Sequence, residues 1–280
     1  MVNILFCGND KVFDGMLSCA LSILKRTDSA EPFTFYIFTM DVSHIKETYL
    51  PVTDGQAAFL EQVVKGYNEE NRVRLIDVTE LYQREFQSSP NESTYCSPYT
   101  LIRLLADLVE EVPDKLLYLD VDVLLARDVH LLYDLDIEAY ELAGAPDHYG
   151  KYLIHPRYIN AGVLLLNMRR MRENGFFVRA RELIRQKKMI FADQSAINRT
   201  VKRRRVLPQR FNDQKFLHKH TVVRHFSKRL FWFPYPHTAN IKQWQVDEIH
   251  KVFGYHRFDD VLNEYLQLKN QFDREESLHG

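Results

Sequence analysis

The sequence predicts an α/β fold with a mixed, mostly parallel sheet flanked by helices and with a helical C-terminal tail. Short runs of β-branched and aromatic residues alternate with helical patterns through the first half of the chain, which is typical of βαβ units. The 280 residues, 45% hydrophobic and 27% charged, have the composition of an ordinary globular protein. Intrinsic disorder and collagen-like structure are therefore excluded, and the chain can bury a sizeable core.

The predicted elements follow one another along the chain. Strands are expected at residues 4–7, 33–39, 73–78, 116–119, 142–145 and 162–166. Helices are expected at 16–25, 56–66 and 100–110, the last because Pro98 precedes an apolar stripe with helical spacing. After about Pro234 the pattern gives way to a polar helical tail at 246–274. We therefore predict two parts, residues 1–235 and 236–280.

The lengths of the apolar runs and the spacing of the cysteines indicate the cellular compartment of the protein. No uninterrupted apolar run approaches the roughly 18 to 20 residues of a membrane-spanning helix. The apolar stretch at residues 2–7 is too short for a signal peptide. Cys7, Cys19 and Cys96 form no C-x-x-C pair, which argues against a disulfide framework or a zinc knuckle. We expect a protein of the reducing cytoplasm.

The formal net charge of -1 hides a basic segment, residues 169–229. This segment has 19 Lys and Arg against four acids, a net charge of +15. About half of it fits an ordinary amphipathic helix. The adjacent cations Arg203–Arg205 instead predict an anion nearby, so the segment indicates a surface for phosphate, nucleic acid or an anionic membrane.

The strongest local signal is a buried strand that runs into two carboxylates, Leu117-Tyr-Leu-Asp120-Val-Asp122. Residues i and i+2 of an extended chain share a face, so both aspartates emerge at the edge of the sheet where α/β proteins bind ligands. Two such carboxylates repel unless a cation lies between them, and Mg2+ or Mn2+ suits them. The apolar flanks disfavour the alternative of two solvated aspartates.

A D-x-D at a strand end occurs in more than one enzyme class. It also fits haloacid-dehalogenase-type phosphatases, in which the first aspartate is phosphorylated. Their motif lies on an early strand and is followed by a Lys and a second acidic pair, and no such pair follows here. A non-catalytic nucleotide or anion binder that uses the basic segment is the third alternative.

Five segments, in this order, resemble the retaining galactosyl- and glucosyltransferases of glycosyltransferase family 8. They are Ile4-Leu-Phe-Cys-Gly-Asn-Asp10, Tyr99-Thr-Leu-Ile-Arg-Leu104, Leu117-Tyr-Leu-Asp-Val-Asp122, Tyr158-Ile-Asn-Ala-Gly-Val-Leu-Leu-Leu-Asn167 and Asp193-Gln194. The resemblance covers roughly residues 1 to 230. It implies the Rossmann-like GT-A fold, a UDP-hexose donor and a metal ion, Mn2+ or alternatively Mg2+.

The resemblance also implies a role for each matching residue. Asp120, Asp122 and His225 would bind the metal, and the loop of Cys7, Asn9 and Asp10 would hold uracil and ribose, although relatives have Asp at the position of Asn9. Asp193 would bind donor hydroxyls, and Gln194 would lie beside the anomeric carbon as the catalytic position. Further donor contacts are implied for Arg103, Val121, Asn160 and Ala161.

Several of these residues have a structural alternative. Arg103 lies among leucines and could pair with Asp107 one turn on. Asp193 could be the N-cap of a short helix at 195–199. His225 could be an ordinary core or surface histidine, and Cys7 a small buried residue.

One departure from the family concerns the lid over the donor. Relatives follow the metal-binding His with Gly three, Lys six and Trp eight residues later, and this Lys grips the donor phosphates. Here Lys228 and Phe231 occupy the first two positions, and Trp232 comes one residue early. Either Lys228 or Arg229 takes over the phosphate contact, or the lid is built differently.

The expected function is that of a cytoplasmic, Mn2+-dependent transferase that moves galactose or glucose from UDP with retention, as in bacterial cell-surface glycan synthesis. The acceptor would be a glycan, glycolipid or glycoprotein, met by residues 147–158 and by the aromatic stretch at 230–236. That stretch could equally be a seam for the C-terminal helix. No nucleic-acid partner is expected. The basic segment predicts peripheral contact with an anionic membrane, at the inner membrane face.

Overall fold

The computed structural model describes residues 1–92, 97–231 and 235–279, so Cys96 and Trp232 lie outside the described residues. The strands are β1 (Val2–Cys7), β2 (Phe33–Thr39), β3 (Arg72–Asp77), β4 (Lys115–Leu119), β5 (Val123–Leu125), β6 (Leu142–Pro146), β7 (Ile159–Asn167), β8 (Arg204–Val206), β9 (Val223–His225), β10 (Arg229–Phe231) and β11 (His237–Ala239). The α-helices are α1 (Phe13–Leu24), α2 (Asp54–Tyr67), α3 (Thr79–Phe86), α4 (His130–Tyr133), α5 (Gly150–Leu153), α6 (Met168–Glu173), α7 (Phe176–Gln186), α8 (Ala192–Thr200), α9 (Val246–Glu248) and α10 (Asp259–His279).

Within the described ranges, a seven-stranded sheet has the order β3-β2-β1-β4-β7-β6-β8. The strands β3, β2, β1 and β4 run parallel, β7 is antiparallel to both β4 and β6, and β8 is parallel to β6. All six predicted strands lie in this sheet, so the prediction of a mixed, mostly parallel α/β fold is confirmed. Two short ladders, β5–β9 and β10–β11, lie apart from it.

Helices cover both faces of the sheet. Successive residues of β1 alternate between two hydrophobic cores, with Ile4 and Phe6 in one and Leu5 and Cys7 in the other. The first core also contains residues of α1, α2 and α10, and the second contains residues of α3, α7 and α8. In the part of the chain that is described, no helix combines the length and the apolar character that crossing a membrane requires.

The segment predicted as an α-helix at 100–110 has a different geometry. Residues Ile102–Leu108 form a 3-10 helix, preceded by a short 3-10 turn at Pro98–Thr100. The buried residues Ile102–Ala106 include Arg103. An amphipathic pattern predicts an α-helix with one solvent face, whereas this segment is enclosed on nearly all sides and takes the tighter turn.

The C-terminal tail is helical, as predicted, but it is interrupted. The helix α9 continues into a π-helical turn at Ile249–Phe253, and Gly254, at φ 63°, ends that turn in the left-handed region. The helix α10 then packs on α1 and α2, where the ring of Phe272 lies 5.5 Å from Phe13 and 4.9 Å from Phe59. The division of the chain at residue 235 stays a prediction.

Candidate active site

Asp120 and Asp122 lie in the short connection between β4 and β5. Asp120 follows β4 directly, and its backbone N–H donates to the carbonyl of Gly162 on β7 at 2.7 Å. Asp122 precedes β5, and its carbonyl accepts from the N–H of Phe226 at 2.8 Å. The two carboxylates and the imidazole of His225 each offer an atom within 4.8 Å of the others. The predicted metal ligands therefore converge.

His225 reaches the aspartates through the β5–β9 ladder, in which Val123 pairs with His225. Its Nε2 lies 3.1 Å from Asp122 Oδ1 and 3.8 Å from Asp120 Oδ2. Its Nδ1 lies 3.0 Å from the side-chain oxygen of Asn212, so a proton on Nδ1 is donated to Asn212. This contact orients the imidazole, and it would leave Nε2 available to ligate a metal bound between the carboxylates.

Gly162 lies against the side chains of His225 and Asp120, and its lack of a side chain leaves space for them. A Cβ on Gly162 would overlap the imidazole of His225 and lie 2.5 Å from Asp120 Oδ2. Two carboxylates and one imidazole, with space above a glycine, fit a divalent metal cation.

Gly162→Ala is expected to displace His225 or Asp120 and to lower Mn2+ affinity by about tenfold or more, an effect comparable to the loss of a metal-site supporting residue. Calorimetric titration with Mn2+ measures it. Gly66, in α2, has no atom within 4 Å of an added Cβ. Gly66→Ala should leave Mn2+ affinity unchanged. An equal loss of affinity in both variants would contradict the inference that Gly162 leaves the space for the metal.

Arg103 ties the aspartates to the rest of the site. Its guanidinium lies 3.0 Å from Asp120, 3.3 Å from Asp193 and 3.9 Å from the centre of the Tyr118 ring, and it donates to the carbonyl of Ala161 at 2.7 Å. Burial opposes its charge, but these neighbours outweigh burial and raise the pKa of Arg103. The alternative pairing with Asp107 is wrong.

Asp107 instead accepts from Arg181 of α7, at 3.1 Å from Nη2. Two buried arginines thus have separate carboxylate partners, and the pair of Arg103 belongs to the site.

Asp193 lies inside the first turn of α8, and the N-cap is Phe191, so the N-cap alternative for Asp193 is wrong. Asp193 is buried, with 5% of the residue exposed. Burial raises its pKa, Arg103 opposes the rise, and Asp120 adds to it. A buried carboxyl beside a guanidinium is a strong hydrogen-bonding group that is aimed into the site rather than at solvent.

Gln194 and Asn160 form a network of amides next to Asp193. The side-chain oxygen of Gln194 accepts from the N–H of Ala161 at 3.0 Å and from Asn160 Nδ2 at 3.2 Å. Asn160 also donates to Asp147 at 3.0 Å and accepts from Asn212 at 2.8 Å. This network links the proposed catalytic amide to the Asn212 that orients His225.

The loop after β1 contributes Cys7, Asn9 and Asp10 at the same edge of the sheet, because β1 and β4 are parallel neighbours. Cys7 and Asn9 are buried, and Asp10 is partly exposed and begins a 3-10 turn. Burial raises the pKa of the Cys7 thiol, although Arg103 opposes the rise. Cys7 is therefore a neutral thiol, suited to contact and not to nucleophilic attack.

A segment that the sequence analysis did not single out, Lys242–Trp244, closes the site from the C-terminal side. Lys242 Nζ donates to Asp122 Oδ2 and to the carbonyl of Phe226. Gln243 donates to the carbonyl of Val121 at 2.7 Å. Burial opposes the charge of Asp122, but Lys242 and His225 outweigh it and hold the pKa of this carboxyl well below its usual range.

Most of the chain matches the sequence model of a known protein family. The sequence model of Glycosyl transferase family 8 matches residues 3–227. The chain belongs to glycosyltransferase family 8. The resemblance inferred from five short segments is thereby confirmed.

Curated relatives of this family 8 chain align over part of their length. A Haemophilus influenzae protein assigned as a glycosyltransferase is 26% identical over 225 residues, which cover 75% of this chain and 63% of that protein. Glucoside xylosyltransferase 1 of Rattus norvegicus is 37% identical over 89 residues, 26% of this chain and 20% of that protein. The chain thus spans less than two thirds of the curated relatives it matches.

Solved structures share the fold. The galactosyltransferase LgtC, in complex with donor and acceptor sugar analogues, superposes with a TM-score of 0.70 at 21% identity, over 94% of this chain and 96% of that one. The apo structure of the bifunctional glycosyltransferase WbbM gives a TM-score of 0.71 at 16% identity, over 96% of this chain and 51% of that one. The predicted GT-A fold is confirmed.

Family 8 membership explains why Lys242–Trp244 was missed. The family's Lys and Trp are expected six and eight residues after the metal-binding His, and here a Lys-Gln-Trp triplet follows His225 by 17 and 19 residues. The β10–β11 hairpin lies between them. Lys242 and Trp244 keep the Lys-x-Trp spacing of the family, so a search for this spacing further along the chain would have predicted them.

Lys228 and Arg229 lie elsewhere in this family 8 site. Lys228 lines a cavity of about 440 Å³ together with Asp147 and Asn160. The Arg229 guanidinium stacks over the rings of Phe216 and Phe231, at 5.3 and 4.9 Å from their centres. In the aromatic stretch at 230–236, residues 232–234 lie outside the described residues.

The basic triplet Arg203–Arg205 has local partners. Arg204 donates to Asn198 at 2.7 Å, Arg205 donates to the carbonyl of Asp136 at 2.6 Å, and the backbone N–H of Arg203 donates to Glu141 at 3.0 Å. The side chains of Arg204 and Arg205 thus have uncharged partners within the chain, and the anion near this triplet stays a prediction.

Proposed function

We propose that this protein is a retaining glycosyltransferase that moves galactose or glucose from a UDP-sugar to a glycan, glycolipid or glycoprotein acceptor with the help of Mn2+. The observation that carries the proposal is the convergence of Asp120, Asp122 and His225 at the carboxyl end of β4, with Lys242 on the same carboxylate. Family membership and the fold support the same class of reaction. The phosphatase alternative is not favoured by these comparisons.

Asp120, Asp122 and His225 would hold the metal. A nitrogen ligand beside two carboxylates favours Mn2+ over Mg2+, which prefers oxygen ligands and retained water. When bound, the cation would act as a Lewis acid that stabilises the negative charge on the departing diphosphate.

Lys242 would hold the diphosphate of UDP. Its ammonium is fixed between Asp122 and the carbonyl of Phe226, so little side-chain entropy remains to be lost on binding. Cys7, Asn9 and Asp10 would contact uracil and ribose. Arg103 and Asp193, buried against each other, would bind hydroxyls of the donor hexose.

Gln194 would lie beside the anomeric carbon. An amide is a poor nucleophile, so retention would come from a front-face mechanism in which the departing phosphate guides the acceptor hydroxyl. One structure of the galactosyltransferase LgtC carries a glutamine-to-glutamate change in its active site. The network around Gln194 would fix its carbonyl oxygen, where it can stabilise positive charge on the sugar ring.

The acceptor would enter the cavity of about 440 Å³ beside Asn160, which Asp147, Tyr149 and Lys228 also line. A binding site next to the donor lets the acceptor hydroxyl approach the same face of the sugar from which the phosphate leaves. The protein would act in the cytoplasm.

Incubation of the protein with a panel of UDP-sugars and Mn2+, followed by measurement of UDP release, tests the proposal. Release of UDP from UDP-galactose or UDP-glucose, abolished by EDTA and restored by Mn2+, is expected. Phosphate release from aryl phosphates without a UDP-sugar would favour the phosphatase alternative. Salt-sensitive polyphosphate binding without any turnover would favour the anion binder.

A further inference from the structure

Exposed apolar side chains gather on one surface of the protein. Tyr152, Leu153 and Ile154, at the end of α5, are 77%, 81% and 54% exposed. Ile190 is 79% and Phe191 42% exposed, directly before α8. Values near 80% describe side chains that stand clear of the surface as separate tips. A flat patch of packed neighbours would leave each of them partly covered.

These two groups lie side by side. The cavity of about 440 Å³ is lined by Leu153, Ile154, Ile190 and Phe191. A second cavity of about 640 Å³ shares Ile154, Ile190 and Phe191 with it. The tips therefore form a common rim, which we call the apolar rim, around the cavity that contains Asp147 and Asn160.

The chain around the apolar rim is strongly basic. Residues 147–157, 185–191 and 213–231 contain ten Lys and Arg, of which Arg224 is buried, against two acids, Asp147 and Asp213. Lys188, Lys215 and Lys228 line the two cavities themselves. The ammonium of Lys151 lies 5.1 Å above the ring of Tyr152, so a cation accompanies one of the exposed tips.

We propose that the apolar rim docks on the surface of an anionic lipid bilayer. Separated apolar tips can insert among acyl chains while the surrounding cations meet anionic headgroups, and the two contributions add. Charge complementarity selects the partner, because the cations Lys188, Lys215, Lys228 and Arg229 outnumber the one carboxylate, Asp147, in the lining of the two cavities and favour an anionic surface.

This orientation has a consequence for the acceptor, which rests on the function proposed above. Leu153, Ile154 and Ile190 line the cavity beside Asn160, so docking of these side chains would bring the cavity close to the lipid headgroups. A glycan carried on a lipid then reaches the site from the membrane without leaving it. The acceptor class that fits is therefore a lipid-linked glycan.

Flotation with vesicles tests the docking surface without using enzyme activity. We expect the protein to float with vesicles of phosphatidylcholine mixed with phosphatidylglycerol, to float less at high salt, and to stay unbound with phosphatidylcholine alone. Leu153→Ser combined with Ile190→Ser should lower the partition coefficient about tenfold. Lys187→Glu combined with Lys188→Glu should lower it by about tenfold or more.

Leu131→Ser combined with Val178→Ser is the matched control, because these residues of α4 and α7 are 42% and 47% exposed and line neither of the two cavities. It should bind vesicles like the wild type, and thermal melting should show that all variants fold. A wild-type protein that does not bind anionic vesicles overturns the proposal. So does binding that neither double variant weakens, and so does a concentration-dependent dimer that Leu153→Ser with Ile190→Ser dissociates, since the rim would then bind a second copy.

Discussion

Asp120→Asn is expected to lower sugar transfer by about 10²-fold or more while the fold stays intact. The amide replaces a carboxylate oxygen by an N–H donor and removes one of the two negative charges that the metal needs. The remaining oxygen can still accept from Arg103 and Tyr118, which hold Asp120 in the structure. UDP release at saturating UDP-sugar and calorimetric titration with Mn2+ measure the two losses.

A matched control separates the site from general effects of charge. Asp28, an exposed aspartate in the loop after α1, should tolerate the same change to Asn with wild-type turnover. The melting temperature of both variants should stay close to that of the wild type. Turnover by Asp120→Asn near the wild-type rate would remove Asp120 from the site, and an acid-labile phosphoryl group on Asp120 would indicate the phosphatase instead.

Lys242→Ala is expected to weaken UDP binding by about 10-fold to 100-fold, the loss of a charge-assisted contact to phosphate. Its effect on the metal should have the opposite sign. Lys242 neutralises part of the charge of Asp122, so its removal should leave Mn2+ binding without nucleotide unchanged or tighter. Calorimetric titrations of Mn2+ alone and of UDP in the presence of Mn2+ distinguish the two effects.

Lys228→Ala is the matched control, because Lys228 is the lysine that the sequence analysis predicted to contact the phosphates. We expect its UDP affinity to stay near that of the wild type, since Lys228 lines the neighbouring cavity. A loss of UDP affinity as large as that of Lys242→Ala would contradict our assignment and favour the original prediction for Lys228.

The ligands of the proposed metal site were predictable to different degrees. Asp120 and Asp122 followed from a buried strand and its alternation, which are local properties of the sequence. His225 came only from the family resemblance, because the β5–β9 pairing that delivers it joins segments about a hundred residues apart. Lys242 was missed because a hairpin separates it from His225, and hairpin length is free to vary on the surface.

The pattern of charged residues predicted the partners of the arginines less well than the pattern of apolar residues predicted the strands. The six predicted strands were located correctly because runs of β-branched and aromatic residues mark strands that are buried on both faces, as β2 and β7 are. The partners of Arg204 and Arg205 are an asparagine side chain and a backbone carbonyl, which carry no net charge and leave no charge signal in the sequence. Likewise, Arg103 could be paired by spacing with Asp107, but the fold brought it Asp120 and Asp193 instead.

The match to the family model ends at residue 227. Two residues that follow it contact the site, because Lys242 donates to Asp122 and Gln243 donates to the carbonyl of Val121. The same region continues into α10, whose Phe272 completes the core beside α1 and α2. Exchange of this C-terminal part between homologues, as in domain-swap engineering, would therefore alter donor recognition and thermal stability together. The C-terminal part therefore cannot be exchanged without changing the rest of the protein.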